Sequence, residues 1–397
     1  MTNFDRQFQK KHKILFLISR FLDGGIDTVL TEYLTHLSDI SHYEVTLAVG
    51  IGMGELEVYR NKIPKSVHIV YFVEDGYLTK YPKLRAYHRL PSYKKFFDET
   101  LLNPVRRQMI KRRLNKLAAG YDVVIDFDCC FYTYLKDIKT RKLVWYHFSF
   151  EQTMRQNERR MRRIAAKLEY YDKIVTISES MCEEGRRIFP WLKDKLIVIY
   201  NPKNQQHLLQ QAEEKPDNEL IEKPFLLAVE RLEESQKDIT TLLKAYKLYR
   251  EKYGHTESLY LIGKGNSESQ LRETAQQLGI GEQVFFLGFI ANPFPWMKAC
   301  RMLVHSARFE GLPTVLIEGL MLDKLIVASD CPTGPREILA GGKAGMLVPA
   351  GDSDAFAQAM HEAMTDVDLQ QKLKENIKAQ QAVFSFETIE KQFAQIV

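Results

Sequence analysis

Short, continuously apolar runs alternate with amphipathic segments along this chain, and the alternation occurs twice. In the first half the apolar runs lie at 12–20, 44–50, 68–73, 122–128, 142–149, 173–180 and 195–202. Runs of this kind are typical of strands covered on both faces, as in parallel sheets. After a polar connector at 205–224 the pattern resumes, with runs at 225–230, 258–265, 283–289, 301–307, 325–330 and 344–350.

Strands that alternate with helices build parallel, doubly wound sheets. The length of 397 residues suits two domains of roughly 100–200 residues each. We therefore predict an α/β fold with two Rossmann-like, doubly wound domains that face each other across a cleft. The predicted domains are 1–203 and 204–380, and we expect a C-terminal helix, 381–397, to cross back to the first domain. Ligands of such sheets bind outside the carboxyl ends of the strands.

The two halves of the chain differ in charge. Residues 1–200 contain 35 Lys and Arg against 24 Asp and Glu, whereas the remainder contains 21 against 27. The basic excess is concentrated at 103–117 and 155–167, which we predict to be helices with one basic face. Such a face is either solvated or docked on anionic lipid headgroups. We expect no nucleic-acid partner, because neither a zinc-ligand spacing nor an aromatic-rich strand accompanies the basic runs.

Five cysteines, two of them adjacent and none in a CxxC motif, indicate neither a disulfide framework nor a zinc site. The polar N-terminal segment MTNFDRQFQKKHK does not resemble a signal peptide. No apolar run approaches the ~20 residues that a membrane-spanning helix requires. We therefore expect a cytoplasmic protein that lies peripherally on the inner face of the cytoplasmic membrane.

The stretch ARFEGLPTVLIEGL (307–320) places Glu310 and Glu318 in otherwise uncharged surroundings. Glu310 falls in the loop after a predicted strand, and a helix then starts with Pro313 in its first turn. No Ser, Thr, Asp or Asn stands just before Pro313 to cap this helix, which leaves its N–H groups for a bound anion. The two carboxylates suit the vicinal hydroxyls of a sugar or a ribose. Alternatively, Glu318 is a buried carboxylate paired with a neighbouring loop.

Cations and glycines follow two other predicted strands. Arg231 and Lys237 come after the run 225–230, where they either clamp a diphosphate or are solvated loop charges. Gly24 and Gly25 follow the first run, where the missing Cβ atoms let the backbone approach a phosphate. This glycine signal is weak by itself, because the chain contains neither a GxGxxG nor a Walker motif.

Three more polar residues end strands of the first half. His147 ends the run 142–149 among aromatic residues and has either a structural or a site role. Asp126 and Asp128 end the run 122–128, where they either receive the hydroxyls of an acceptor or cap a loop.

Together these segments resemble glycosyltransferase family 4, the large retaining group with the GT-B architecture. EGLPTVLIE matches the E-x7-E motif of that family. The segments AVERLEESQKDITTLLKAY, LIGKGNSESQL, FLGF, SDCPTGPREIL, GMLVPAGD, GGIDTVL and VTISES…IYNP are similar to others in the family, in the right order. The chain departs from the family at Glu230, where glycine is usual, and in the loop from Arg231 to Lys237, which is one residue longer than is common.

The resemblance implies roles for the matched positions. Glu310 would contact the donor sugar, His147 would face the transferred sugar, and Arg231 and Lys237 would hold the diphosphate. The implied donor-binding positions are Gly24, Gly25, Gly288, Phe289, Ile290, Gly311, Leu312, Pro313, Thr314 and Glu318. Among these, Glu318 would hold the ribose diol and 288–290 would line the base. Asp126 and Asp128 are the candidate acceptor-binding residues.

The expected reaction is transfer of a hexose or N-acetylhexosamine, with retention, from a UDP-type nucleotide sugar to a hydroxyl of a glycan or glycolipid. The product would serve cell-surface polysaccharide or lipopolysaccharide synthesis, and the scheme needs neither a metal nor a further cofactor. A sugar phosphorylase or a nucleotide-sugar hydrolase on the same fold is one alternative, and a non-catalytic nucleotide-sugar-binding protein is another. A dinucleotide oxidoreductase is disfavoured because the GxGxxG motif is missing.

Overall fold

The computed structural model describes residues 11–22, 24–87 and 90–397. The chain divides into two compact units. The first consists of the described residues up to Ile177, together with Cys182–Ile199 and Lys391–Val397. The second consists of Ser178–Met181 and Tyr200–Glu390. The main division thus falls between residues 199 and 200, and the C-terminal segment from Lys391 belongs to the first unit.

The first unit contains a seven-stranded, wholly parallel sheet in the order β3-β2-β1-β4-β5-β6-β7. Its strands are β1 (His12–Ile18), β2 (Tyr43–Val49), β3 (His68–Tyr71), β4 (Val123–Asp126), β5 (Arg141–Tyr146), β6 (Lys173–Thr176) and β7 (Leu196–Val198). Each strand matches one of the seven apolar runs, and β2 and β5 each begin one residue before theirs, so the strand prediction for this half is confirmed.

Helices connect these strands along the chain. They are α1 (Gly25–Asp39), α2 (Lys80–Tyr87), α3 (Ser92–Phe97), α4 (Asn103–Ala118), α5 (Tyr132–Leu135), α6 (Phe150–Gln156), α7 (Glu158–Leu168) and α8 (Glu179–Ile188), with a π-helical turn at Asp98–Leu102 between α3 and α4. The aromatic and basic segment 74–104 is predicted from the sequence to be a loop, and this prediction is wrong, because the structure has helices over most of that range. The predicted basic helix at 155–167 is interrupted at Asn157, whose side chain caps α7.

One predicted helix start is wrong in detail. Capping-box spacing from Ser180 to Glu183 places the start of α8 at Ser180. In the structure α8 begins at Glu179, and the hydroxyl of Ser178 accepts the hydrogen bond from the N–H of Met181. Ser180 instead donates its hydroxyl hydrogen to Glu337.

Aromatic side chains fill the core of the first unit. Phe16, Tyr33, Phe127 and Trp145 are fully buried and lie with ring centroids 5.7–6.4 Å apart. Phe393, from the C-terminal segment, stacks on Phe16 at 6.4 Å. Burial of a large apolar side chain stabilises a fold by about 1.5–3 kcal/mol, so Phe393 ties the end of the chain to this core.

The second unit contains a six-stranded parallel sheet in the order β10-β9-β8-β11-β12-β13. Its strands are β8 (Phe225–Val229), β9 (Ser258–Ile262), β10 (Val284–Gly288), β11 (Met302–His305), β12 (Ile326–Ser329) and β13 (Met346–Val348). The helices of this part of the chain are α9 (Gln205–Gln211), α10 (Glu234–Lys237), α11 (Ile239–Glu251), α12 (Glu268–Gln277), α13 (Phe294–Ala299), α14 (Thr314–Met321), α15 (Pro335–Ile338), α16 (Ser353–Thr365), α17 (Val367–Val383) and α18 (Phe386–Ala394). All six predicted strands are present.

The strand order reverses once in each sheet. The first strand of a sheet is flanked on one side by the strand next in sequence and on the other by the fourth strand, so the pairs β1/β4 and β8/β11 are the reversal points. In doubly wound sheets the connections leave such a pair in opposite directions, and ligands bind at the carboxyl ends of these strands. The residues that follow β1, β4, β8 and β11 are therefore the ones to inspect.

Candidate functional site

The structure brings Lys237 and Glu310 into contact. Lys237 ends α10, in the loop region after β8, and Glu310 lies in the loop after β11. The Nζ atom of Lys237 is 2.5 Å from Oε1 of Glu310, and the two side chains are only 12% and 8% exposed. Because this ion pair is largely shielded from water, the attraction between its two charges is strong. Loss of either side chain would leave the charge of the other buried and uncompensated.

Two residues that the sequence analysis did not assign to the site complete this group. Nε2 of His305, the last residue of β11, lies 3.1 Å from Oε1 of Glu310, and its Nδ1 lies 3.1 Å from Oε2 of Glu230. Oε2 of Glu230 is also 4.0 Å from Nζ of Lys237. The contact of Nδ1 with Glu230 is an ion pair, and Oε2 has no hydrogen-bond partner among the residues that the structure describes.

Opposite charges set the protonation of this cluster. Burial raises the pKa of Glu310, but the ammonium of Lys237 and the hydrogen bond with His305 outweigh burial and hold the pKa at about 2. Burial and Lys237 lower the pKa of His305, yet its contacts with Glu230 and Glu310 outweigh both, so the pKa lies above its ordinary value of 6.5. Glu310 is therefore a carboxylate at neutral pH.

Hydrogen bonds to backbone carbonyls hold the loops after β8, β11 and β12 together. The hydroxyl of Ser306 donates to the carbonyl of Lys237 at 3.0 Å, and the N–H of Arg308 donates to the carbonyl of Gln236 at 2.8 Å. On the other side, the hydroxyl of Thr333 donates to the carbonyl of Glu310. Thr333 has a positive φ of 62°, so the loop after β12 takes an uncommon conformation to make this contact.

Arg231 is linked to the cluster through one side chain. It is exposed, and its Nη2 atom lies 3.5 Å from Oε1 of Gln236. The Nε2 atom of Gln236 lies in turn 3.5 Å from Oε2 of Glu310. Arg231 therefore lies near Lys237 and Glu310, but unlike them it is exposed to solvent.

Glu318 has a cationic partner that the sequence analysis missed. Oε1 of Glu318, on α14, lies 2.8 Å from Nζ of Lys203, whose side chain is 1% exposed. The alternative role predicted for Glu318 is that of a buried carboxylate paired with a neighbouring loop. The contact of Oε1 with Lys203 agrees with that alternative. Pro313 stands immediately before α14 rather than inside it, and no side chain caps the helix. Gly311 and Leu312 lie in the loop that leads to Pro313, and Thr314 is the first residue of α14.

The segment predicted to line a base, 288–290, follows β10. Gly288 has a φ of 71°, and its carbonyl accepts the N–H of Gly263 at 2.8 Å, so this oxygen is already engaged. The ring of Phe289 is 44% exposed, with Nζ of Lys264 5.9 Å from its centroid. Ile290 is half-buried.

In the first unit, the loops after β1 and β4 are joined by Ser19 and Asp128. Oδ2 of Asp128 accepts the N–H of Ser19 at 2.8 Å and also its hydroxyl. Gly24 precedes α1 and donates its N–H to Asp27 at 2.9 Å. Gly25 is the first residue of α1, and a Cβ atom there would meet open space.

Asp126 makes capping contacts, which is one of the two alternatives predicted for it. It is fully buried, and its carboxylate accepts the N–H groups of Cys130 and Phe131 and the hydroxyl of Tyr171. Burial first, and then the charge of Asp128, raise the pKa of Asp126. Its oxygens are thus occupied by the loop that follows β4 and by Tyr171.

His147 lies directly after β5 and is buried. Its Nε2 atom donates to the carbonyl of Phe127 at 2.8 Å. Burial lowers its pKa to about 4 despite this hydrogen bond, so the imidazole is neutral at pH 7. Within the part of the chain that the structure describes, no group of three or more His, Cys, Asp or Glu side chains is arranged to hold a metal ion.

The signals for the missed residues were uneven. His305 ends a predicted strand just as His147 does, and the same argument applied to both would have found it. Glu230 was noticed only as a departure from the usual glycine. Lys203 offered no signal, because it is 115 positions away from Glu318 in the sequence and nothing local indicates that pairing.

Solved structures with this architecture cover nearly the whole chain. The lipopolysaccharide outer core galactosyltransferase WaaB has a TM-score of 0.68 at 18% identity, over 97% of this chain and 98% of its own. HepE of Anabaena, in complex with UDP and glucose, has a TM-score of 0.73 at 16% identity, over 97% and 98% of the two chains. These likenesses show the fold: the seven-stranded and six-stranded units are those of a GT-B protein.

Residues 210–380 match the family of glycosyl transferases group 1. The matched segment lies within the second unit and includes the Lys237–Glu310 pair. A curated relative, N-acetylgalactosamine-N,N'-diacetylbacillosaminyl-diphospho-undecaprenol 4-alpha-N-acetylgalactosaminyltransferase of Campylobacter jejuni, is 28% identical over 213 residues, 54% of this chain and 56% of its own. The chain spans about half the length of the first curated relatives it matches.

The glycines after β9 allow the loop of Glu230 to pack closely, which gives a stability prediction. Gly263 has a φ of 144°, and a Cβ atom there would lie 1.8 Å from the carbonyl oxygen of Glu230. We expect Gly263→Ala to lower the free energy of unfolding by about 3 kcal/mol, through strain and overlap together. Urea denaturation followed by circular dichroism measures this change.

Gly254→Ala is the matched control. Gly254 also has a positive φ, of 77°, but a Cβ atom there has no neighbour within 4 Å. The free energy of unfolding of Gly254→Ala should fall only by roughly 1–2 kcal/mol, which is the cost of a left-handed conformation for a residue with a side chain. Equal losses for the two variants would show that the contact with Glu230 does not matter.

Proposed function

We propose that this protein is a retaining glycosyltransferase of family 4 that transfers a hexose or N-acetylhexosamine from a nucleotide diphosphate sugar to a hydroxyl of a glycan or glycolipid. The observation that carries the proposal is the buried Lys237–Glu310 pair, with its Nζ–Oε1 distance of 2.5 Å. It lies at the carboxyl ends of β8 and β11, where the strand order reverses, within the region that matches the group 1 glycosyl transferases.

Negative charge grows on the leaving diphosphate during such a transfer. The ammonium of Lys237 and the exposed guanidinium of Arg231 are the cations that would stabilise it. The uncapped N-terminus of α14 adds N–H groups and the positive end of a helix dipole. One well-placed donor of this kind is worth about 3–4 kcal/mol in the transition state.

The two glutamates would hold the carbohydrate parts of the donor. In the proposed complex Glu310 accepts hydrogen bonds from hydroxyls of the sugar, and Glu318 accepts them from the ribose diol. Both are suited to this because each has one oxygen held by a largely buried lysine, Lys237 for Glu310 and Lys203 for Glu318. The leaving phosphate is the proposed base, with attack from the same face, so Glu310 orients the donor rather than acting as a nucleophile. The scheme uses side-chain cations and invokes no metal.

Relatives support the choice of donor and acceptor. HepE of Anabaena is known in complex with UDP and glucose, and we propose UDP as the nucleotide here. The name of the Campylobacter relative describes an acceptor linked to diphospho-undecaprenol. We therefore propose a lipid-linked glycan as the acceptor, in cell-surface polysaccharide or lipopolysaccharide synthesis.

The proposal predicts that Glu310→Ala and Lys237→Ala each abolish transfer, by at least about 100-fold in kcat, because each removes a group that acts on the reacting donor. Transfer is measured with a panel of UDP-sugars and lipid-linked glycans, and folding by circular dichroism. The double variant Lys247→Ala/Glu251→Ala removes an exposed ion pair of 3.7 Å on α11 and should transfer at the normal rate.

Folded variants that keep their turnover would contradict the assignment. Product analysis separates the remaining functions. Free sugar formed without an acceptor indicates a hydrolase, sugar phosphate formed with inorganic phosphate indicates a phosphorylase, and donor binding without any product indicates a non-catalytic protein.

A surface of the first unit supports a peripheral membrane location. Exposed apolar side chains cluster between residues 77 and 105, and we call them the aromatic surface: Tyr77, Tyr93, Phe96, Leu101 and Val105, which are 48–70% exposed. Rings from this surface line an open cavity of about 450 Å³. A patch of this kind on a soluble domain commonly marks a site of interaction.

Basic side chains accompany the aromatic surface. Lys94 and Lys95 lie within it, and α4, which follows, exposes Arg107, Lys111 and Arg112. A buried ion pair of 2.7 Å between Arg106 and Asp98 holds α4 against the π-helical turn, which fixes the surface in place. No helix in the described ranges is both long and apolar enough to cross a bilayer. We propose that this surface docks on the anionic inner face of the cytoplasmic membrane.

The docking proposal predicts salt-sensitive binding to vesicles of phosphatidylglycerol mixed with phosphatidylcholine, measured by co-sedimentation. Each basic residue near such a surface contributes about 1 kcal/mol, so Lys94→Gln/Lys95→Gln should weaken binding roughly 30-fold. Tyr93→Ser/Phe96→Ser should weaken it too. Val367→Ser, at a position 74% exposed on α17, should not. Absence of binding at low salt would refute the proposal.

A further inference from the structure

Glu230 is the residue at which this chain departs from the usual glycine, and it lies inside the buried cluster. Its side chain is 1% exposed. Its backbone is fixed on both sides: the N–H donates to the carbonyl of Ile262 at 2.9 Å, and the carbonyl lies against Gly263. The fold therefore fixes the backbone from which this buried carboxylate extends.

The carboxylate of Glu230 has few compensating neighbours. Oε2 faces Nδ1 of His305 at 3.1 Å and Nζ of Lys237 at 4.0 Å. Oε1 is buried, and no hydrogen-bond partner for it is found among the residues that the structure describes. A buried carboxylate with so little solvation is tolerated only where cations face it. His305 and Lys237 are those cations.

His305 joins the two glutamates through its two ring nitrogens. A neutral imidazole can donate its single N–H to Glu310 but carries no charge to offset Glu230, whereas the imidazolium does both. The charged groups that face His305 are Glu230 from the end of β8, Glu310 from the loop after β11 and Lys237 from α10. Cys331, from the loop after β12, also lies near Glu310 and Lys237, and burial raises the pKa of its thiol to about 12, so it adds no charge.

Two anions and two cations thus balance within one buried group. In this group Oε1 of Glu310 is held by both Lys237 and His305, whereas Oε2 has only the long contact of 3.5 Å with Gln236. Holding one oxygen of Glu310 from two sides fixes the plane of its carboxylate and leaves the other oxygen for a ligand.

We propose that Glu230 is a positioning residue: it keeps His305 in the imidazolium form, and His305 in turn orients the carboxylate of Glu310. Glu230 itself does not touch the reacting atoms. The consequence for sugar transfer rests on the proposed function, but the control of His305 by Glu230 does not. A chain with glycine at this position would lack the second anion and would leave His305 with Glu310 alone.

The first test is the protonation of His305 in the full chain. Histidine labelled with ¹⁵N and ¹³C reports the charge of each ring by NMR, and His305→Asn assigns the signal. In the native protein we expect His305 to stay protonated above pH 6.5. In Glu230→Gln the midpoint should fall by about 1–3 pH units, the shift expected when one adjacent opposite charge is lost. Glu230→Asp keeps the negative charge, so its midpoint for His305 should lie close to that of the native protein.

Glu233→Gln is the matched control. Glu233 lies in the same loop after β8, and its carboxylate accepts a hydrogen bond from Ser235 rather than facing His305. In the variant Glu233→Gln, the titration curve of His305 should equal the curve measured in the native protein. If His305 titrates identically in Glu230→Gln and the native protein, the proposal is wrong. If Glu230→Gln does not fold, Glu230→Gly, which also removes the carboxylate, carries the test: the midpoint should fall in the same direction, and an unchanged midpoint refutes the proposal.

The second test uses the rate of transfer. Because His305 is protonated only below its midpoint, Glu230→Gln should give a kcat that falls with rising pH in a range where the native kcat is constant, with KM for the donor little changed. A merely structural role would lower kcat equally at every pH, and that result would overturn the positioning role. If the native protein transfers no sugar, the proposed function fails, and the NMR titration still decides whether Glu230 controls His305.

Discussion

The stability of the second unit depends on the compensation of four ionisable side chains that are buried away from water. They are Glu230, Lys237, His305 and Glu310. Removing an ion from water costs several kcal/mol, and only opposite charges and hydrogen bonds close by offset that cost. Lys237 lies 2.5 Å from Glu310, and His305 lies 3.1 Å from Glu310 and from Glu230. These groups come from the ends of β8 and β11, neighbours at the reversal of strand order. The topology of the sheet therefore supplies the close contact, since Glu310 lies 73 positions away from Lys237 in the sequence.

Close backbone packing is the second condition that the cluster imposes. The loop after β8 must lie against the loops after β9 and β11 so that water stays out. Gly263 and Gly265 allow this, because Cβ atoms there would lie 1.8 Å and 2.1 Å from the carbonyl oxygens of Glu230 and Leu232. In the sequence these glycines belong to the segment GKG (263–265), which ends a predicted strand and is not specific by itself. Their role is to admit the neighbouring loop, and it becomes visible only when the strand order is known.

Sequence periodicity predicted all thirteen strands because a buried parallel strand must be apolar on both faces, and that leaves a local signal. It also found Lys237 and Glu310, since both follow strands. It failed where the determining contact is distant or where the local signal is ambiguous. The pairing of Glu318 with Lys203 spans 115 positions. The helices within 74–104 carry aromatic rings on their exposed side, so their pattern lacks an apolar stripe on one face and a polar stripe on the other. Ser180 fits a capping box, but tertiary contact with Glu337 engages it, and Ser178 makes the cap.

Two histidines at strand ends show why position alone does not define chemistry. His147 and His305 are both buried at the carboxyl end of a central strand. Burial lowers the pKa of His147 to about 4, since the carbonyl of Phe127 is its only hydrogen-bond partner in the part of the chain described. With Nε2 donating to that carbonyl, its Nδ1 can only accept a hydrogen bond. At His305 two carboxylates reverse the effect of the same burial. A sequence can place an imidazole at the end of a strand, but the charges that neighbouring loops bring to it decide whether it accepts a proton or carries one.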